Sequence, residues 1–158
     1  DICIGAIGDP PAEPGITTRP LGEVEWVFAV APRHPLAQVQ QPISTAAILG
    51  HRAVLLADGT RTAPARSPSF TLNVSDALMV STIRGKIDAQ IAGLGVGFLP
   101  RHQISDLLRD HRLVELKVEE PMANTQLCCA WRPQGAGKAV RWWLSRLDDF
   151  EVRSRLLE

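Results

Sequence analysis

The sequence predicts an α/β fold in which strands and helices alternate and a mostly parallel sheet is covered on its faces. Residues 81–100 are typical of an amphipathic helix, a glycine turn and a short apolar strand that ends at a proline. A second apolar stripe at helical spacing lies near the end of the chain, and the segment 24–31, dense in Val, Phe and Trp, is typical of a central strand. These features favour layers of helix and sheet.

The composition of the chain limits the classes of protein to which it can belong. The 158 residues suffice for one domain or two small lobes, and 45% hydrophobic with 22% charged residues is normal for a folded globular chain. Seventeen basic and seventeen acidic residues balance, so there is no general electrostatic reason to hold a nucleic-acid backbone. No apolar run approaches the ~20 residues that cross a bilayer, and no signal peptide is visible. We therefore expect a cytoplasmic protein without a membrane partner.

Three cysteines, two of them adjacent, make a poor disulfide framework and fit a reducing compartment. We expect Cys3 and one of Cys128 and Cys129 to be small core residues. The chain starts at Asp1 and enters a strand at once, so we expect it to be an N-terminally truncated domain.

The first half of the chain is predicted to contain strands, loops and one short helix. A strand over residues 2–6 is followed by a Gly/Pro-rich loop over 8–15. The other predicted elements are extended segments at 16–21 and 24–31 joined at Gly22-Glu23, a helix at 42–49 with Gly50 beyond its end, strands at 53–57 and 77–80, and a surface loop at 58–68.

The helix after residue 80 carries the most chemical information. Ile83, Ile87 and Ile91 recur at i, i+4 and i+8 and form one apolar face, while Gly93 is placed to end the helix in a left-handed turn. Ser81 and Thr82 lie where the first helical N–H groups are free, which favours a small anion. The simpler interpretation of these hydroxyls is a plain helix N-cap, and one residue can cap while the other binds.

The second half continues the alternation, with a helix predicted at 101–109 and strands at 113–118 and 125–131. The apolar stripe of the last helix comprises Val140, Trp143, Leu144 and Leu147.

Several other patterns in the sequence do not indicate a nucleotide-binding, metal or catalytic site. The glycines at 93, 95 and 97 have the wrong spacing and follow a helix, which is the reverse of a dinucleotide loop. His34, His51, His102 and His111 lack metal-ligand spacing, and His34 is expected to face solvent. No Ser/His/Asp order or nucleophile elbow is present. We predict no catalytic residue, no metal and no cofactor.

Four motifs resemble the LysR-type transcriptional regulators. Residues 1–5 (Asp-Ile-Cys-Ile-Gly) resemble that family's Asp-Leu-Ala-Ile-Gly strand, and residues 30–37 resemble its hinge strand followed by His-Pro-Leu. Residues 92–100 (Ala-Gly-Leu-Gly-Val-Gly-Phe-Leu-Pro) are similar to its Ala-Gly-Leu-Gly-Ile-Ala-hydrophobic-Leu-Pro signature, and residues 113–116 to its Leu-Val-x-Leu strand. The motifs keep the family's order and spacing over nearly the whole chain.

The resemblance implies a type-II periplasmic-binding-protein-like fold, with two α/β lobes joined by two crossing strands. Lobe one would comprise residues 1–31 and 124–158 and would lack its first part, and lobe two would comprise residues 32–123. The family's winged helix-turn-helix is absent from this sequence, so any DNA contact would be made only through that missing N-terminal part.

The resemblance also implies an effector site between the lobes. The residues expected to contact the effector are Ser81, Thr82, Ile83, Ala6, Ile7 and Phe98. The residues expected to form the hinge are Val30, Ala31 and Pro32. For Phe98 a core role is the commoner alternative, and residues 30–32 suit hinge and sheet core better than ligand contact.

The predicted function is therefore the ligand-sensing domain of a bacterial LysR-type regulator, which binds a small anionic metabolite and forms a homodimer or homotetramer. The alternative is a free-standing periplasmic solute-binding protein of a transporter, which needs an export signal. An enzyme on the same two-lobed fold would need an acid, base or nucleophile in the cleft, and the sequence offers none with supporting neighbours.

Overall fold

The structure is a computed structural model, and it describes residues 2–6, 15–57, 76–149 and 151–153. Ile7, residues 8–14 of the predicted loop over 8–15, and the predicted loop over 58–68 lie outside the described residues. The strands are β1 (Ile2–Ala6), β2 (Thr17–Val24), β3 (Trp26–Val30), β4 (Ala53–Leu56), β5 (Ala77–Val80), β6 (Gly97–Pro100), β7 (Val114–Glu115) and β8 (Thr125–Trp131). The helices are α1 (Thr45–Leu49), α2 (Ile83–Ile91), α3 (Arg101–Arg109) and α4 (Lys138–Arg146).

The chain divides into two compact units. The first unit comprises Asp1–Glu25 and Asn124–Glu158, and the second comprises Trp26–Ala123. The boundary falls after Glu25 rather than after residue 31, because β3 hydrogen-bonds to β6 and β7 inside the second unit. That the units correspond to the two lobes of the family fold remains a prediction.

The first unit contains an antiparallel sheet in the order β1-β8-β2. β2 is one strand with an irregularity between Pro20 and Gly22, where the sequence predicted a break at Gly22-Glu23. Leu21, Cys129 and Leu147 form the buried core, which α4 helps to close through Leu144. Trp143, predicted to lie on the buried stripe, is 44% exposed, and Cys3, predicted to be a core residue, is also exposed. Both side chains lie on the outside of the elements that the sequence correctly located.

The second unit contains an antiparallel sheet in the order β6-β3-β7 and a parallel pair, β4-β5. The prediction of a mostly parallel sheet is therefore wrong. Chain order shows that strands and helices alternate, but orientation depends on which remote strands pair, and β1 pairs with β8 from the far end of the sequence. One core of the second unit contains Phe28 and Val96, and another contains Leu99 and Ile104 beneath α2 and α3. Each such buried side chain contributes about 2 kcal/mol relative to exposure.

Local signals predicted most helix ends well. α3 has the predicted bounds, and α2 ends before Gly93, whose φ of +73° is the left-handed turn predicted there. α1 begins later than predicted: Ser44 caps it, because Ile43 is held in an extended bridge to Val118. Among the residues described, every helix is too short to cross a bilayer.

Candidate functional site

The turn between β5 and α2 carries the residues predicted to contact the effector. The Val80 carbonyl at the end of β5 accepts a hydrogen bond from the Ala57 N–H at 2.7 Å. Ser81 and Thr82 follow, and α2 begins at Ile83. Because β4 and β5 are parallel, this turn lies at the carboxyl edge of the pair, the position at which open α/β sheets place their ligands.

Thr82 is the N-cap of α2, as predicted. Its backbone is extended (φ −140°, ψ 152°), and its Oγ1 accepts a hydrogen bond from the Gly85 N–H at 3.0 Å. The Lys86 N–H donates to the Thr82 carbonyl at 3.0 Å. The N–H groups of Ile83 and Arg84 precede the first intrahelical bond, so this end of the helix carries unpaired donors and a partial positive charge.

Ser81 differs from its neighbour. Its side chain is exposed, and its hydroxyl forms no hydrogen bond to any of the described residues. The hydroxyl is therefore available as a donor or an acceptor beside the free N–H groups of α2. This arrangement of one capping and one available hydroxyl is suited to an oxyanion. Contact with an effector stays a prediction.

Two basic side chains lie on the first turns of α2. The Arg84 side chain is 83% exposed, and its Nε donates to Asp88 Oδ2 at 3.3 Å. Burial lowers the pKa of the Lys86 ammonium to about 8, and this ammonium forms no ion pair with a described residue. The positive charge near the helix start therefore comes from a solvated arginine and a partly buried lysine.

Gln90 lies one helical turn beyond Lys86 and is fully buried, and neither its side-chain oxygen nor its side-chain nitrogen has a hydrogen-bond partner among the described residues. A Cβ at Gly97 would lie 3.2 Å from Gln90 Nε2 and 3.4 Å from Lys86 Cε, so both side chains pack between α2 and β6. Sequence reasoning missed this pair. One feature of the sequence could have indicated their burial. Lys86 and Gln90 are four residues apart and directly precede Ile87 and Ile91, so they lie beside the apolar face of the helix.

The other residues that are predicted to contact the effector lie on different elements of the structure. Ile83 is half-buried against the core beneath α2. Phe98 is also half-buried, and its ring meets that of Phe28 edge to face, with centroids 5.3 Å apart. Ala6 is exposed at the end of β1 in the first unit, and Ile7 is outside the described residues. Only Ser81, Thr82 and Ile83 are brought together by one element.

The residues predicted to form a hinge lie inside the second unit. Val30 and Ala31 are buried, and Pro32 is exposed just beyond β3. The chain passes from one unit to the other at Glu25–Trp26 and at Ala123–Asn124 instead. The hinge assignment of residues 30–32 gains no support from this position.

A cavity of about 600 Å³ lies at the other end of α2, and His34 is one of the residues that line it. The sequence predicts that His34 faces solvent. His34 is half-buried: its Nδ1 accepts a hydrogen bond from the Leu36 N–H at 3.2 Å, and its ring lies 4.8 Å from that of His51. Burial, and then the charge of His51, lowers the pKa of His34. Within the described ranges, no group of three or more His, Cys, Asp or Glu side chains is placed to hold a metal ion.

The described residues form a mixed α/β fold of two compact units, and comparison with known proteins gives its family. Residues 2–150 match the LysR substrate binding domain, so the chain belongs to this family. It is 37% identical over 143 residues to the uncharacterized HTH-type transcriptional regulator YeeY of Escherichia coli K12, covering 90% of this chain and 46% of that protein. It is 32% identical over 139 residues to the HTH-type transcriptional activator AllS of Salmonella paratyphi A, covering 88% of this chain and 45% of that protein.

Solved structures agree in fold. The regulatory domain of NMB2055 (MetR) from Neisseria meningitidis aligns with a TM-score of 0.72 at 19% identity, over 98% of this chain and 69% of that one. The Synechocystis CcmR regulatory domain in complex with 2-PG aligns with a TM-score of 0.72 at 19% identity, over 97% and 73%. The effector binding domain of QuiR in complex with shikimate aligns with a TM-score of 0.70 at 20% identity, over 98% and 71%.

These findings confirm the predicted family and the mixed α/β fold of LysR regulatory domains. The chain is an effector-binding domain of the LysR type, a family of transcription regulators and not of enzymes. It spans about half the length of the curated relatives that it matches.

Proposed function

We propose that this domain senses a small organic anion through the β5–α2 turn and transmits its binding to a DNA-binding part of the same regulator. The observation that carries the proposal is the pairing of an available Ser81 hydroxyl with the capped, donor-rich start of α2. The relatives support a regulator over a transporter's solute-binding protein, since the two curated relatives described above are named as a transcriptional regulator and a transcriptional activator.

Each group in the turn has a distinct role in this proposal. The free N–H groups at the start of α2 donate to the oxyanion, and the helix dipole adds favourable charge. The Ser81 hydroxyl donates a further hydrogen bond, while Thr82 keeps the helix end in place through its bond to Gly85. The exposed guanidinium of Arg84 raises the local concentration of anions. An anionic effector is thus favoured over a neutral or cationic one.

The remaining contacts and the coupling belong to the same proposal. Ala6, Ile7 and Phe98 would offer shape and apolar surface to the body of the effector, which suits a partly apolar metabolite. Binding changes the regulator only if the effector has different affinities for two arrangements of the domain. In a homodimer or homotetramer, the change in arrangement would alter the positions of the helix-turn-helix domains that contact DNA. Two similar domains bind 2-PG and shikimate, which supports small-molecule sensing.

The proposal is tested by a thermal-shift screen of small organic acids against the purified protein, with 2-PG and shikimate among the first compounds. Thr82→Asp is the decisive variant, because aspartate caps a helix as well as threonine does but places a negative charge at the proposed anion site. We expect Thr82→Asp to fold normally and to lose the ligand-induced rise in Tm. Ser81→Ala should weaken binding without changing the Tm of the free protein.

Ser44→Asp is the matched control. Ser44 caps α1 by accepting a hydrogen bond from the Ala47 N–H at 3.2 Å, so it makes the same kind of contact at another helix start. This variant should bind the effector normally. If Ser81→Ala and Thr82→Asp both keep full binding, the site lies elsewhere and the proposal is wrong.

A further inference from the structure

The cavity at the end of α2 opposite Thr82 is lined by four basic side chains: Arg33, His34, His111 and Arg112. It lies wholly within the second unit. Ala92, which lines the cavity, lies ten positions after Thr82, about 15 Å along the helix axis at 1.5 Å per residue. The cavity is therefore distinct from the β5–α2 turn.

The backbone holds both arginines in place. Arg33 occupies a β-turn closed by the His34 N–H, which donates to the Ala31 carbonyl at 2.9 Å, with Pro32 at the position that favours such a turn. Arg112 is held by its own N–H, which donates to the Leu107 carbonyl at 2.9 Å beyond the end of α3. Neither guanidinium forms an ion pair with a described residue. Both guanidinium groups thus extend from backbone positions that hydrogen bonds hold, and both are available to a ligand.

Negative charge near the cavity is already paired. None of the described lining residues is acidic. The nearest acid in sequence, Asp110, lies 3.7 Å from Arg109 Nε through its Oδ1. The carbonyls of Asp88, Ala89 and Gln90 in the last turn of α2 accept hydrogen bonds from the N–H groups of residues 92–94, at 3.0 Å each. These three carbonyls are thus satisfied, and the partial negative charge that remains at this helix end is opposed by the cationic Arg33 and Arg112.

The two histidines add directed donors. His111 has a φ of 54°, a left-handed conformation that glycine adopts more easily, so at this position the imidazole is present at a conformational cost. Nδ1 of His34 is used as an acceptor, which leaves Nε2 as the nitrogen that carries the proton in the neutral ring. Between these groups the lining is apolar and includes Ala31 and Ile91. A cationic rim around an apolar floor suits an organic anion better than a bare ion.

We infer that this cavity is a second binding site, for a small organic anion with a carboxylate or phosphate group held by Arg33 and Arg112 with His34 and His111. The arginines bind the oxyanion, and the apolar floor accommodates the carbon skeleton. An anion can bind in this cavity without contacting the β5–α2 turn.

The test uses succinate and inorganic phosphate as probes of the purified protein, at constant ionic strength set with chloride. Binding is followed by Tm and by the NMR signals of the imidazole C–H groups. We expect both probes to raise the Tm and to shift the His34 and His111 signals, with succinate binding more tightly. Arg33→Gln and Arg112→Gln should each weaken binding at least about five-fold.

His111→Gly separates folding from binding. Glycine relieves the left-handed backbone, so this variant should keep or raise the Tm of the free protein while it weakens succinate binding. Arg141→Gln, on the exposed face of α4 in the first unit, is the control for loss of one positive charge. It should bind as the unchanged protein does.

Other outcomes overturn the inference. It is wrong if neither probe shifts the two histidine signals at 20 mM, a concentration of the order of ten times that expected for a weak metabolite site. It is also wrong if the double variant Arg33→Gln/Arg112→Gln binds normally, or if Arg141→Gln weakens binding equally. Loss of succinate binding in Thr82→Asp alone would place the anion at the β5–α2 turn, which would support the proposed function and reject this site.

Discussion

Thr82 supplies a hydrogen bond that the first turn of α2 cannot form from its own backbone. Replacing it with alanine leaves the Gly85 N–H without its 3.0 Å partner. We expect Thr82→Ala to lower the free energy of unfolding by about 1 kcal/mol. Thr82→Ser should restore most of this, because serine presents the same oxygen. Urea denaturation measures both values, and equal stability of the alanine and serine variants would contradict the capping role.

Lys86 is a residue whose charge is disfavoured by its surroundings. Burial lowers its pKa from 10.5 to about 8. Below pH 8 both the folded and the unfolded chain hold the proton, so the full cost of burying the charge is present. Between pH 8 and 10.5 the folded state releases the proton first, and the free energy of unfolding rises with pH.

Lys86→Met should therefore raise the free energy of unfolding at pH 7 by about 3 kcal/mol, since each unit by which the pKa is lowered corresponds to about 1.4 kcal/mol. The advantage over the unchanged protein should shrink as the pH approaches 10. Lys117→Met, at an exposed lysine, serves as the control and should show no such trend. A constant advantage for Lys86→Met from pH 7 to pH 10 would mean that the ammonium is solvated in the folded protein.

At the scale of elements, the close approach of β4 to the segment after α2 depends on Gly95. The Val96 N–H donates to the Arg52 carbonyl at 2.9 Å, and a Cβ at Gly95 would lie 2.6 Å from that carbonyl oxygen and 2.9 Å from Val54 Cγ2. The carbonyl belongs to the backbone and cannot move without breaking the bridge between Ala53 and Val96.

We expect Gly95→Ala to lower the free energy of unfolding by about 2–3 kcal/mol. At Gly50 the nearest atom to an added Cβ is the Ala47 oxygen at 3.4 Å, so Gly50→Ala should change stability little. Differential scanning calorimetry of the two variants makes the comparison. Equal melting temperatures would show that the β4 contact is looser than described.

At the scale of the whole molecule, no described residue belongs to the hydrophobic cores of both units. Leu147 belongs to the core of the first unit, and Ile104 to a core of the second. Leu147→Ala and Ile104→Ala each remove a side chain that is at most 1% exposed, which costs about 2–5 kcal/mol.

Amide hydrogen exchange should separate the two effects. Leu147→Ala should speed exchange most in β1, β2 and β8, and Ile104→Ala should do so most in β3 and β6. Equal acceleration throughout the chain in both variants would show that the units unfold as one cooperative body.

The sequence by itself determined the features that depend on neighbouring residues. The cap at Thr82, the left-handed Gly93, the bounds of α3 and the strand at 125–131 follow from side-chain chemistry and periodicity within a few residues. The family followed from short motifs in a fixed order, and the comparisons confirm it. The anion-favouring turn was predictable for the same reason, because its hydroxyls and free N–H groups lie together along the chain.

Only the tertiary structure decided the features made by remote segments. Antiparallel pairing of β8 with β1 and β2 joins strands about a hundred residues apart, and no local pattern encodes that orientation. The exposure of Cys3 and Trp143 depends on which face of an element meets the core. The burial of Lys86 and Gln90, and the meeting of Arg33 with Arg112 in one cavity, likewise arise from packing between elements. Local conformation is set by the chain's immediate chemistry, whereas burial and proximity are set by where distant segments come to lie.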